Sequence, residues 1–364
     1  MKIDSCLIIK NEEKNIEKLI YQLLEFSNEI HITDTGSTDN TLKIINDIQK
    51  KHKNIFVSNF EWIFDFSAAR NYSLYYYQDS DTSDYKFWCD GDDLLNDKLI
   101  TTLKEFSNNL FYNDDIYYIR YKYSKFDKNP HVRTTLFKTS TKIKWFDPIH
   151  EYINILPEYK LNYSLFDNGS LIIHQRNFEE NTEEYNNRNL SIFFNMEQNN
   201  VEFTSRNRYY YGIELINHGL IDSAINQFHK CLDEYDDPFH HMLCIPELFN
   251  YNDPNALEYL FRLLRNGICR KDFFMYLGNY MFDINNYELA KTFYINCINY
   301  PEPQDTWAFK YDKNCVIESL LQLGLIEYNL KNYKEAIKYN EQILDIESDN
   351  DIAINNLDIL STLI

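Results

Sequence analysis

The chain has 364 residues, 44% hydrophobic and 25% charged, with a formal net charge of −20, and is long enough for two domains with separate cores. That charge excludes nucleic acid and anionic membrane surfaces as partners, because both need a basic face. Any phosphorylated ligand must then be neutralised locally, by a metal ion or by a few placed Arg and Lys side chains. Seven cysteines without a Cys-x-x-Cys pair, and the N-terminal string MKIDSCLIIKNEE, predict no disulfide framework, no signal peptide and no membrane span, hence a cytoplasmic protein.

Residues 1–178 read as one α/β domain. Ser5–Lys10 is a short apolar run, and Ile16, Leu19, Ile20, Leu23 and Leu24 recur at helical spacing. Glu29–Thr33 is strand-like, Leu42, Ile45 and Ile48 mark a second helix, and Ile55–Val57 a third strand. A helix around Ser67–Tyr77 and a strand at Tyr85–Cys89 continue the alternation. This rhythm predicts a mainly parallel sheet covered by helices. Aromatic strands follow at Ile116–Tyr123, Thr134–Lys138 and Ser170–His174, which predicts a more mixed sheet.

From residue 179 to 364 the pattern is helical. Gly is followed twelve positions later by Ala at Gly212/Ala224, Gly278/Ala290 and Gly324/Ala336, with a degraded copy at Cys244/Ala256. The spacing approximates the tetratricopeptide period of about 34 residues, with an insertion before the last unit. Small residues at these places let paired helices approach closely and stack into one core. A plain helical bundle would show such coincidences too.

Two strings carry the chemistry, DTGSTDNT from Asp34 and WCDGDD from Trp88. The first follows a strand, so Asp34 falls where open α/β sheets bind ligands, and Gly36 permits the tight turn. In the second, a buried-looking strand runs into Asp90-Gly91-Asp92-Asp93. Carboxylates crowded at a strand end repel unless something positive is bound, and an Asp-x-Asp pair offers hard oxygen ligands to Mg²⁺ or Mn²⁺. Either string alone is also what a capped turn looks like, with Asp93 or Asn96 capping the next helix.

Together with Ile8-Ile9-Lys10-Asn11-Glu12 and Phe66-Ser67-Ala68-Ala69-Arg70-Asn71, the two strings resemble the inverting family 2 glycosyltransferases of the GT-A fold. The resemblance implies an α/β GT-A domain, followed here by an all-α tetratricopeptide-like domain. It implies that Asn11 and Glu12 border the nucleotide, Asp34 the base, and Arg70 the base or diphosphate. Asp90 would hold the ribose or the metal shell and Asp92 the metal. Trp145-Phe146-Asp147-Pro148-Ile149-His150-Glu151 resembles the "His-Glu" string of bacterial members, making Glu151 the first candidate for the base and Asp147 the second. His150 and Arg176 would meet the diphosphate and His174 the metal, with Arg133 a further source of positive charge.

A catalytic domain of this kind with a tetratricopeptide tail is similar to bacterial peptide and protein glycosyltransferases, including those that S-glycosylate bacteriocins. The resemblance implies a Mn²⁺- or Mg²⁺-dependent transfer from a UDP-sugar, glucose or N-acetylglucosamine, to a Ser, Thr or Cys side chain. A homodimer, if one forms, would use the helical tail. Two alternatives stand beside this: a transferase for surface polysaccharide or a lipid-linked glycan, and a non-enzymatic scaffold with a vestigial first domain. A nucleotidyltransferase would carry a Gly-rich basic loop where this chain has Lys10-Asn11-Glu12-Glu13.

Overall fold

A computed structural model describes residues 1–76, 82–108, 112–123, 130–153, 160–175, 182–234, 237–301 and 313–364. The chain divides into two compact units, Met1–Glu202 and Phe203–Ile364.

The first unit opens with the predicted alternation: β1 (Ile3–Ile9), α1 (Ile16–Leu24), β2 (Glu29–Asp34), α2 (Thr41–Gln49), β3 (Ile55–Asn59), α3 (Phe66–Tyr75) and β4 (Tyr85–Asp90). Then come β5 (Asp93–Leu95), α4 (Asp97–Asn108), β6 (Ile116–Lys122), β7 (His131–Lys138), β8 (Trp145–Phe146), β9 (Tyr152–Ile153), β10 (Tyr163–Leu165), β11 (Leu171–His174) and α5 (Thr182–Gln198). The main sheet runs β3-β2-β1-β4-β7-β6-β11-β5, with β10 beside β6; β8 and β9 form a separate ribbon.

β1 lies between β2 and β4 and is parallel to both, so the chain reverses direction across the sheet there. Strand β1 is buried on both faces, as a central parallel strand requires. Ile16, Leu19, Ile20 and Leu23 of α1 lie on the core side with at most 1% exposure, and each such burial contributes about 1.5–3 kcal/mol. Beyond β4 the pairing turns antiparallel, β4 with β7 and β7 with β6. The mixed half is packed by aromatic rings, among them Tyr85, Phe106, Tyr117 and Phe166.

Among its described residues the second unit is helical: α6 (Ser205–Asn217), α7 (Ile221–Asp233), α8 (Pro238–Asn250), α9 (Ala256–Arg265), α10 (Lys271–Asp283), α11 (Tyr287–Asn299), α12 (Lys313–Asn329), α13 (Tyr333–Ile346) and α14 (Asp351–Ser361). The Gly–Ala signal falls on helix pairs, Gly on the first helix and Ala on the second. A methyl at Gly212 would stand 2.3 Å from the Phe228 ring, and one at Gly278 would stand 2.5 Å from the Tyr294 ring. Ala224, Ala290 and Ala336 are fully buried. Each pair turns through a left-handed residue, Gly219, Asn252, Asn285 or Lys331, the usual way to end a helix and reverse direction.

Candidate active site

Strands β1 and β4 deliver Ile9, Asp90 and the loops after them to the edge where a parallel sheet binds ligands, next to the point of strand reversal. A cleft of about 630 Å³ opens there. Its walls include Glu12, Arg70, Asp90, Asp92, Arg133, His150, Glu151 and His174, so eight of the residues singled out from sequence share one cavity. Asp147 is not among the lining residues, and Arg176 lies outside the described residues.

Asp90, closing β4, accepts from Arg70 Nη1 at 2.8 Å and from Arg133 Nη2 at 2.7 Å, one arginine on each carboxylate oxygen. Both guanidinium groups lie against Trp88, at 4.7 and 4.0 Å from its ring centre, a cation–π arrangement. Burial alone would raise the Asp90 carboxyl, but the two arginines outweigh it and hold it well below the usual carboxylate range. Arg70 Nε also donates to Glu151 Oε1 at 2.6 Å. A continuous chain of ion pairs therefore runs from Glu151 through Arg70 and Asp90 to Arg133.

The chain continues on the other wall. The Tyr121 hydroxyl donates to Asp93 Oδ1 at 2.9 Å and lies 3.1 Å from His174 Nδ1, which in turn is 3.3 Å from Asp92 Oδ1. Burial works to lower the His174 pKa, but hydrogen bonds to Asp92 and Asp93 outweigh it and push it up to about 10. Asp92, Asp93 and His174 each present a ligand atom within 4.8 Å of one another. Two carboxylates and an imidazole, once His174 gives up its proton to the ion, are a set that suits Mn²⁺, or Mg²⁺ with added water, so the residues fit a divalent ion. Asp93 is buried and also accepts from the Asp90 N–H at 2.9 Å. Asp92 and His174 are the members that face the cleft.

Glu12 approaches the acidic group from β1. Burial first, and then the charge of Asp92, push its pKa up to about 7. Gly91 is small because Glu12 is there: an added methyl would stand 2.9 Å from Glu12 Cγ and from Ile9 Cγ2. Gly91 also lines the cleft.

The first acidic string is built differently. Both Asp34 oxygens accept from its own turn, at 3.0 Å from Gly36 N–H and 3.1 Å from Ser37 N–H, and Gly36 takes φ +106°. Asn11 Oδ1 accepts from Thr38 N–H at 2.7 Å. Of this region Thr35 lines the cleft. Asn96, and not Asp93, caps α4, accepting from Leu99 N–H at 2.9 Å. Sequence reasoning missed Tyr121, and Arg188 and Asn189 of α5, which also line the cavity. None of them sits in a local motif.

A parallel sheet with a cleft at its strand ends, an Asp-x-Asp string closing β4 and a mixed second half is a GT-A-like arrangement. Residues 5–156, less than half of the chain, match the family model described as Glycosyl transferase family 2. The chain is 25% identical over 249 residues to the SPbeta prophage-derived glycosyltransferase SunS of Bacillus subtilis (strain 168) and to glycosyltransferase SunS of Bacillus phage SPbeta; each alignment covers 63% of this chain and 53% of the relative. The chain spans about half the length of these curated relatives. Among solved structures it is similar to S. aureus TarS 1-349, with a TM-score of 0.40, 14% identity, and coverage of 86% of this chain and 97% of that one. The same fragment in complex with UDP gives a TM-score of 0.38, 16% identity, and coverage of 84% and 95%.

Proposed function

We propose that the enzyme transfers glucose or N-acetylglucosamine from a UDP-sugar to a peptide or protein side chain, with inversion and with Mn²⁺ or Mg²⁺. One observation carries the reading: a single cleft is lined by both the Asp92–His174 pair and the Glu151 carboxylate. Asp92 and His174 would hold the ion, with Asp93 behind them. When bound, the ion neutralises the diphosphate as it leaves.

Glu151 is positioned to accept the proton of the incoming hydroxyl or thiol as that atom attacks the anomeric carbon and the bond to the diphosphate breaks. Asp147 is the second choice for this role. Asp34 keeps lone pairs beyond those facing its turn, and these would meet the nucleotide base, with Asn11 bordering it. His150 and Arg176 would approach the diphosphate.

The paired helices of the second unit, read as tetratricopeptide repeats, would recognise the acceptor and, if a dimer forms, join two copies. All seven cysteines are free, which suits a cytoplasmic enzyme. Among the described residues no helix is long and apolar enough to cross a membrane.

The test is a thermal-shift series with UDP-glucose and UDP-N-acetylglucosamine, with and without Mn²⁺, followed by mass spectrometry of peptide acceptors. A Mn²⁺-dependent rise in melting temperature with one donor, and a hexose or N-acetylhexosamine mass on a peptide, are expected. No shift with either donor, or equal activity in EDTA, would overturn the donor or metal assignment. A lipid or polysaccharide product would overturn the acceptor class.

A further inference from the structure

The segment that carries Glu151 has an unusual shape. Asp147 and His150 both take left-handed backbone angles, φ 68° and 52°, which costs free energy for any residue with a side chain. The ribbon around them is short: β8 pairs with β9 through only Trp145↔Ile153 and Phe146↔Tyr152. Such a segment needs to be held from outside.

Helix α3 supplies the hold. The Phe66 N–H donates to the Pro148 carbonyl at 2.8 Å. The Asn71 amide grips Trp145 on both sides: Nδ2 donates to its carbonyl at 2.9 Å, and Oδ1 accepts its N–H at 2.9 Å. Arg70 donates to Glu151 itself and lies against the rings of Trp88 and Trp145, 4.7 and 5.2 Å from their centres. Asp65 caps the helix by accepting from Ala68 N–H at 2.8 Å, so the donors start from a fixed first turn. Three consecutive contacts thus fall on residues 145, 148 and 151, and the arginine making the last is itself anchored by Asp90.

We propose that Arg70 and Asn71 are positioning residues that clamp the 145–151 segment and aim the Glu151 carboxylate into the cleft. The clamp leaves one Glu151 oxygen on Arg70 and the other to take the acceptor proton. This deepens the reading of Glu151 as the base and rests on it for its catalytic meaning.

The test uses the full chain and its variants Asn71→Ala, Arg70→Ala and Glu151→Gln. Hydrogen exchange of peptides spanning 143–153 should speed up about tenfold or more in the first two, with β4 peptides unchanged in Asn71→Ala. UDP-N-acetylglucosamine or UDP-glucose hydrolysis, whichever donor the parent uses, should fall roughly 10–100-fold, with donor affinity of Asn71→Ala by calorimetry within about twofold of the parent. Guanidinium ion should restore both protection and rate in Arg70→Ala. Unchanged exchange in Asn71→Ala, or its donor affinity falling in step with rate, overturns the clamp. Should Arg70→Ala fail to fold, Asn71→Ala carries the test by itself. If Glu151→Gln keeps the full rate while the exchange results hold, the clamp stands as structure and the base assignment fails.

Discussion

Asp34 on β2 and Asp90 on β4 flank the same end of β1, opposite Ile9 and Ile8, and both begin an Asp-Gly or Asp-x-Gly string. Their carboxylates nevertheless have different partners. Asp34 is held by backbone N–H groups within three residues of itself. Asp90 is held by two arginines from distant parts of the chain. A local cap is complete as soon as its turn forms, whereas the Asp90 knot exists only when α3, β4 and β7 have come together. The first is a feature of the sequence, the second a feature of the fold.

The largest effects should come from testing this contrast by charge. Asp92→Asn removes a candidate metal ligand beside the knot and should lower donor hydrolysis by 10²-fold or more, on the order of the loss of a main electrostatic stabiliser. Calorimetry with Mn²⁺ should show the ion lost. Asp34→Ala should instead weaken donor binding about tenfold and cost about 1 kcal/mol of stability, the usual net worth of such a hydrogen bond. Equal effects on rate and on Mn²⁺ binding in both variants would erase the distinction.

A smaller effect sharpens the comparison through pH. Because the Glu12 pKa is raised to about 7, the folded state holds this proton more tightly than the unfolded chain does. Its contribution is fully present below about pH 4.5 and is lost as pH rises through 7. Glu12→Gln should therefore match the parent near pH 4.5 and exceed it by on the order of 2 kcal/mol at pH 8, measured by denaturant titration in EDTA. A constant difference across pH would show that the crowding with Asp92 is absent.

The smallest effects concern the two glycines. Gly91→Ala drives a methyl against Glu12 and Ile9 and should cost roughly 1–3 kcal/mol, as overpacking does. At Gly36 nothing lies within 4 Å of the added methyl, and the cost, about 1–2 kcal/mol, comes from backbone strain at φ +106°. A Glu12→Ala background should relieve the Glu12 part of the first, leave its Ile9 part, and leave the second unchanged.

The parallel half of the sheet was legible because each element carried enough residues to show a period: α1 and β4 are apolar in the pattern their burial demands. β5, β8, β9 and β10 have two or three residues each, too few for an alternation to register. In the site, Asp90 and Asp92 stood out because they share a string. Tyr121 lies mid-strand among other aromatics, and Arg188 lies on a helix with no motif of its own. Arg133 was visible only as a positive charge, since its partner is 43 residues away.

The helix pairs of the second unit are not closed alike. Gly212 and Gly278 each receive an aromatic ring, while Gly324 faces the buried polar amide of Asn340 at 3.1 Å. In a stack where each unit leans only on its neighbours, stability is a sum of local terms. Opening on warming should then begin at the Gly324 pair and travel inward, so that heat reads the array from one end, as a zip and not as a block.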